Sequence, residues 1–422
     1  MRWTSALLIA AAGLCAGAAQ ARLVAVADVA GLRAALLNVQ PGDDIVLAPG
    51  TYALDSNLNC SVSGTPAQPI RLRAATPRSV LVRFATGGIA EGFRVSGAYW
   101  TLESLDIEGA CASDSNCEHA IHLYGNAEFF TLRDSVLRDF NAQIKANGVQ
   151  SGAAYVYPDD ALIEYNQFYD TRARNTANPV TKLDVVGGRR WIVRGNTFRD
   201  FQKGSGDTIS YAAFLKGNSR DGLFERNLVR CSQQFSGGVR LGLSFGGGGT
   251  SPNSICEEGS CTPEHQNGVM RNNLILSCND VGIYLNKAAN TRLLHNTLYA
   301  TTGIDVRFAA STAEVRNNLL AGAIRLRDGG SSTNAGNLSG VSPANFSAWF
   351  QAPAEADFRL LNGAALVDQG VAEPLVRDDF CANLRHDGLP DIGALEYDAQ
   401  AICETTAGGG VPQRLFRDGF DG

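Results

Sequence analysis

Eight short aliphatic strands carry polar residues of the kinds that bind and cleave an acidic polymer. They read Ile121-His122-Leu123-Tyr124, Ile144-Lys145-Ala146-Asn147, Leu183-Asp184-Val185, Phe214-Leu215-Lys216, Val239-Arg240-Leu241, Ile283-Tyr284-Leu285-Asn286, Ile304-Asp305-Val306-Arg307 and Ile324-Arg325-Leu326-Arg327. Side chains alternate across a strand. With the aliphatic set turned inward, His122, Tyr124, Lys145, Asn147, Lys182, Asp184, Lys216, Arg240, Tyr284, Asn286, Asp305, Arg307, Arg325 and Arg327 would line one outer face. Its cations outnumber its two aspartates, so the strip suits an extended anionic chain such as a uronic-acid polysaccharide. Breaking such a chain by β-elimination needs a cation to neutralise the uronate carboxylate, a base for the α-proton and an acid for the leaving oxygen.

Lys182, Lys216 and Arg240 fall on neighbouring strands and supply the candidate catalytic set. Either lysine would be the base, Arg240 the neutraliser or acid, and Tyr211 and Tyr284 reserve acids. His122, Lys145, Asp184, Tyr284, Asp305, Arg307 and Arg325 are the candidate substrate contacts. The plain alternative is a row of solvated charges on an outer face. A long Gly-rich insertion beside the strip favours function, because binding sites gather on loops held by rigid scaffolds.

A recurring phrase must position these strands: an apolar residue, a polar pair, Asn, then another apolar residue. It appears as Ile163-Glu164-Tyr165-Asn166-Gln167-Phe168 and Val193-Arg194-Gly195-Asn196-Thr197-Phe198, and returns at Asn227, Asn273, Asn296, Asn318 and Asn337. Ser104 and Ser135 stand at two earlier pivots. Repeats about 20–50 residues long mark solenoids and arrays. The spacing here drifts from 19 to 46 residues, too irregular for a leucine-rich repeat or a propeller blade. A parallel β-helix tolerates that drift, since only its strands must stay in register. Asn suits its corners through left-handed geometry and hydrogen bonding along the stack. The fold expected is all-β: a single right-handed parallel β-helix solenoid over residues 22–397. An N-terminal helix near 28–40, with Asp28 as N-cap, would close one end. A Gly/Cys insertion spans about 243–266, and 398–422 form a tail.

Arg2, the apolar run Ala6 to Ala19 and Ala19-Gln20-Ala21 make residues 1–21 read as a signal peptide, so the product would be secreted or periplasmic. No later segment is apolar enough to span a bilayer. The net charge of −6 and the lack of any Lys/Arg run argue against nucleic acid as partner. The expected partner is an anionic polysaccharide and the expected state a monomer. Nine cysteines remain beyond the leader, and an oxidising compartment makes disulfides of them. Cys111–Cys117 and Cys256–Cys261 would close short loops, Cys231–Cys278 would join adjacent coils and Cys381–Cys403 would tie down the C-terminus. Cys60 is left over. His119 and His122 sit three apart in a strand, which predicts opposite faces and no shared metal. His265 would edge a cleft, and His295 would lie at the surface.

Gly42-Asp43-Asp44-Ile45-Val46-Leu47-Ala48-Pro49-Gly50-Thr51-Tyr52, Gly64-Thr65 and Pro69-Ile70-Arg71-Leu72-Arg73-Ala74 resemble the opening of secreted β-helix proteins of the pectate-lyase-like superfamily, in its chondroitinase B and alginate lyase branch. Asp391-Ile392-Gly393-Ala394-Leu395-Glu396 resembles the closing phrase of many bacterial β-helix proteins. Leu415 to Phe420 resembles a C-terminal tag of some exported proteins. The resemblance implies the fold and a uronate lyase, with calcium as the one cofactor it would bring. That branch carries a calcium-binding strand E-x-x-S-x-K-S and a coil with R-H-G. The comparable stretches here are Thr181–Val186 and Gly238–Gly242, without the acidic pair and with Leu241 after Arg240, so no metal ligand carries over. Polygalacturonase motifs (G-H-G, R-I-K) are absent, which argues against an inverting glycosidase. The alternatives to a lyase are a non-catalytic carbohydrate-binding or adhesion solenoid and a uronate epimerase.

Overall fold

The computed structural model describes residues 21–85, 91–152, 154–247, 249–361, 365–385, 388–397 and 403–408. The expected signal peptide, bar Ala21, and the Leu415–Phe420 motif lie outside these residues. Three long parallel sheets wind into a solenoid. Sheet 1 has twelve strands, from Arg22–Val26 to Ser331–Ala335. Sheet 2 has ten, from Leu58–Cys60 to Ala323–Arg327, and sheet 3 has ten, from Gly50–Leu54 to Leu319–Leu320. Each coil passes through sheet 2, then sheet 1, then sheet 3, and the candidate strip belongs to sheet 2.

In-register stacking builds the core. Leu132, Ile163, Val193, Phe224, Met270, Leu293 and Val315 pair in succession along sheet 1, all fully buried. Phe168 stacks on Phe198 in sheet 3 with ring centres 4.9 Å apart. Each coil adds one apolar residue per sheet to a continuous column, so loop length between strands is free to vary.

The Asn pivots form the expected ladder at the corner between sheets 1 and 3. Nδ2 of Asn166, Asn196, Asn227, Asn273, Asn296 and Asn318 each donates to Oδ1 of the next pivot, at 2.9–3.1 Å. That same Oδ1 accepts the preceding pivot's backbone N–H. The left-handed conformation expected of Asn falls instead on the residue before it: Tyr165, Gly195, Arg226, Asn272, His295 and Asn317 have φ of 53–62°. That residue turns the corner, and the Asn after it pairs along the stack.

Helix Val29–Leu37 covers the N-terminal end, with Leu32 and Leu36 buried and the Asp28 carboxylate accepting the Gly31 N–H. The C-terminal segment folds back along the outside of sheet 3. Phe346, Phe350, Phe358, Leu366, Phe380 and Ile392 bury themselves against Leu228, Leu274, Leu276 and Leu319. His295 is covered as a result and is not at the surface. Its Nδ1 meets the Asp391 carbonyl at 3.1 Å and its Nε2 faces Asn317 Nδ2 at 2.9 Å. Disulfides join Cys111–Cys117, Cys231–Cys278, Cys256–Cys261 and Cys381–Cys403, with Cα separations of 4.9–5.7 Å. Cys60 is buried and free. No helix among the described residues is long and apolar enough to cross a membrane.

The insertion does not hang free over the strip. It packs at the corner between sheets 2 and 1, where Tyr157 donates to the Ile255 carbonyl and Glu257 pairs with Arg189 at 2.6 Å. His265 is buried, with its ring 3.9 Å from that of Phe245. Burial holds it far toward the neutral form, with a pKa of about 3, so it edges no cleft.

Candidate functional site

Strands of sheet 2 begin with a slip in their alternation. Gly92-Phe93, Ala120-Ile121, Gln143-Ile144 and Lys182-Leu183 each place two successive residues in the interior. A side chain at Gly92 would collide with the Phe84 ring and the Ala120 carbonyl. The residue before each inward pair therefore emerges on the same face as the residue after it. His119 and His122 thus share the outer face, with ring centres 5.4 Å apart, contrary to the expectation from simple alternation. Lys182, the first member of its pair, turns inward.

Two of the three expected catalytic residues leave the strip for this kind of reason. Lys182 is fully buried, and its ammonium donates to Asp170 Oδ2 at 2.7 Å and to the Phe140 carbonyl at 2.9 Å. Burial pushes both partners toward neutrality, Lys182 downward and Asp170 up to about 6, against their mutual attraction. Arg240, also buried, donates to the carbonyls of Cys231, Phe235 and Gly237, to Ser232 Oγ and to Gln202 Oε1. It fastens the 231–238 loop. Lys216 alone reaches the face. Its ammonium lies 4.5 Å from the centre of the Phe214 ring, and no carboxylate among the described residues lies within ion-pair distance.

Consecutive rungs bring Glu91, Arg94, His119, His122, Tyr124, Lys145, Asn147, Asp184 and Lys216 into one patch. His122 Nδ1 lies 2.5 Å from Glu91 Oε1, and its Nε2 lies 2.7 Å from Asn147 Oδ1. Tyr124 packs on His122 with ring centres 5.2 Å apart, and Arg94 sits 5.4 Å over Tyr124. Lys145 and Asp184 pair at 2.9 Å. Burial would raise the Asp184 carboxyl, but Lys145, Lys216 and His119 outweigh it and hold the group below its usual range. Burial likewise opposes ionisation of Glu91, yet the two imidazoles hold that carboxyl well below the ordinary value. Even after pairing, the patch offers more cationic groups than carboxylates.

Farther along, Phe214 and Ser244 occupy the register positions between Asp184 and Tyr284. A second patch follows. Tyr211, Leu241, Val281 and Tyr284 form a largely buried apolar cluster along a cleft of about 130 Å³ that Asp305, Arg307 and Arg327 also line. Arg325 and Arg327 both pair with Asp305, at 2.5 and 2.7 Å, and Arg307 pairs with Asp328 while donating to the Tyr284 hydroxyl. The expected single basic strip is therefore two patches, and most of its arginines are neutralised locally.

The family comparison bears directly on this architecture. Residues 119–337 match the family model described as right handed beta helix region, just over half of the 422 residues. The chain belongs to that family. Residues 26–177 of this β-helix protein also match the model for chondroitinase B. Pectate lyase Pel9A superposes with a TM-score of 0.56 at 14% identity, over 90% of this chain and 98% of that one, which supports the shared fold. An alginate lyase from Paenibacillus sp. str. FPU-7 aligns at 18% identity over 74% of this chain and 99% of that one, with a TM-score of 0.47. No curated protein matches the chain.

The donors do not fit calcium at the strand where the resemblance would put it. Calcium takes six to eight oxygens, whereas Asp184 is the single carboxylate of Thr181–Val186 and is already paired with Lys145. Among the described residues, Glu91, His119 and His122 form the one cluster of three His, Cys, Asp or Glu side chains able to converge on an ion. Glu91, Arg94 and His119 escaped sequence reasoning. The small residues Gly92 and Ala120 ahead of each aliphatic position were the available clue to the slip.

Proposed function

We propose that this β-helix protein binds an acidic, uronate-containing polysaccharide across sheet 2 and cleaves it by β-elimination at the Glu91–Lys216 patch. The observation that carries this reading is the convergence of amine, imidazole, phenol and guanidinium groups on successive rungs spaced about 4.8 Å apart. In this reading Lys216 removes the α-proton, since it alone of the three expected catalytic residues reaches the face. Lys145 and Arg94 neutralise the uronate carboxylate, and Tyr124 protonates the leaving oxygen. The chondroitinase B match and the shared fold with a pectate lyase support the class of reaction without naming the sugar. The four disulfides suit the oxidising compartment in which such a glycan is met.

One observation favours the binding-only alternative. Tyr211, Tyr284, Leu241 and Val281 pack into an apolar wall along a small cleft that a sugar ring could enter, in a patch whose arginines are tied up by Asp305 and Asp328. A Lys216→Ala variant separates the readings. The lyase reading expects depolymerisation to fall at least about 100-fold with retention on an anionic-glycan column preserved. Undiminished cleavage by that variant would refute the assignment of Lys216.

A further inference from the structure

We infer that Glu91, His119 and His122 form a binding site for a zinc-class divalent ion, a site that the β-elimination reading does not require. The three side chains come from two neighbouring rungs, with His119 registered directly opposite Glu91. The alternation slip at Ala120-Ile121 is what places both imidazoles on one face. Their ligand atoms all lie within 4.8 Å of one another. Nδ1 of His122 and of His119 lie 2.5 and 3.6 Å from Glu91 Oε1. Tetrahedral zinc with bonds of about 2.0–2.1 Å sets its ligand atoms roughly 3.3 Å apart, a spacing this trio reaches with shifts of about an ångström.

Two further features are those of a metal site. Histidines that ligate a metal donate their other ring N–H to a fixed acceptor, which sets the tautomer and ring orientation. Asn147 provides that acceptor: its Nδ2 donates to the Gly148 carbonyl, which leaves Oδ1 facing His122 Nε2 at 2.7 Å. The ring is thereby oriented with Nδ1 toward Glu91. His119 Nδ1, in turn, is shielded from solvent and makes no hydrogen bond among the described residues. A buried polar atom left in that state is costly, and an ion held here would satisfy it. Arg94 binds the other Glu91 oxygen at 3.0 Å, leaving Oε1 for the metal. Two nitrogens and one oxygen suit zinc and its neighbours and do not suit calcium. Three protein ligands on a partly exposed face leave a fourth position for water or a glycan carboxylate.

The test uses the full chain, stripped with chelator, dialysed against Zn²⁺ alone and passed through a desalting column. Elemental analysis should find about one zinc per chain. His119→Ala and Glu91→Gln should each lose it, and Asn147→Ala, which keeps all three ligands but removes the acceptor that orients His122, should weaken binding about 10–100-fold. Folding of each variant is checked by circular dichroism. Less than about a tenth of a zinc per wild-type chain would overturn the site, as would equal retention by the His119 and Glu91 variants. Because the readout is metal content, its failure leaves the lyase reading untouched, and a failed lyase assay leaves the metal site standing.

Discussion

The Lys182 ammonium meets the Asp170 carboxylate at 2.7 Å with neither side chain touching solvent. Removing one member of such a pair strands the other charge in the interior, at a cost of about 3–5 kcal/mol. Lys182→Ala should therefore lower the melting temperature by many degrees. Lys216→Ala removes a partly exposed side chain with no ion-pair partner among the described residues and should change stability by about 0.5 kcal/mol or less, while losing activity. Thermal melts and activity measured on the same two preparations check the contrast. A stable Lys182 variant that had lost activity would reverse the assignment. In sequence the two lysines are equally plausible, because strand alternation shows only which residues share a face under an unbroken period of two. The slip that turns Lys182 inward depends on packing against the coil interior. Arg240 was illegible for a related reason: its acceptors are backbone carbonyls of a loop, which carry no side-chain signature.

At the scale of the element, the Asn ladder ties each corner to the next coil by side-chain and backbone hydrogen bonds at once. Asn227 stands in its middle. Its Oδ1 accepts from both Asn196 Nδ2 and the Asn196 backbone N–H, and its Nδ2 donates to the Val193 carbonyl. Asn227→Ala leaves those buried groups unpaired and should cost about 2–4 kcal/mol. Asn337, the last pivot and only partly buried, should cost about 1 kcal/mol or less when replaced. Urea unfolding of the two variants checks the difference, and equal losses would show that the ladder does not act as a buried stack. The pivots were the most legible part of the chain, since one residue type recurs wherever the backbone turns. Their conformational role was less so. The left-handed residue is the one before each Asn, a position held by Tyr, Gly, Arg, Asn and His alike, so composition could not mark it.

For the whole molecule, the C-terminal segment is a second wall as well as a terminus. Leu228, Leu274, Leu276 and Leu319 face outward from sheet 3 and are covered by Phe346, Phe350, Phe358 and Phe380. A chain ended after Gly340 would expose that leucine row, a large apolar patch of the kind that drives association. It should elute as aggregates in size-exclusion chromatography with light scattering, and a monodisperse monomer would contradict the covering role. The coil was readable from the repeat, whereas this fold-back rests on contacts between residues from about fifty to about a hundred and fifty positions apart. At the same scale, coils in register make sheet 2 one continuous surface, so a glycan bound as proposed would meet the Glu91–Lys216 patch and the cleft beside Tyr211 and Tyr284 together. The most direct test of that account is absorbance near 235 nm while the mature protein acts on alginate, pectate and glycosaminoglycans in turn. A rise with at least one of them, marking the unsaturated product of β-elimination, is predicted. No rise with any of them, and no shortening of any chain, would contradict it.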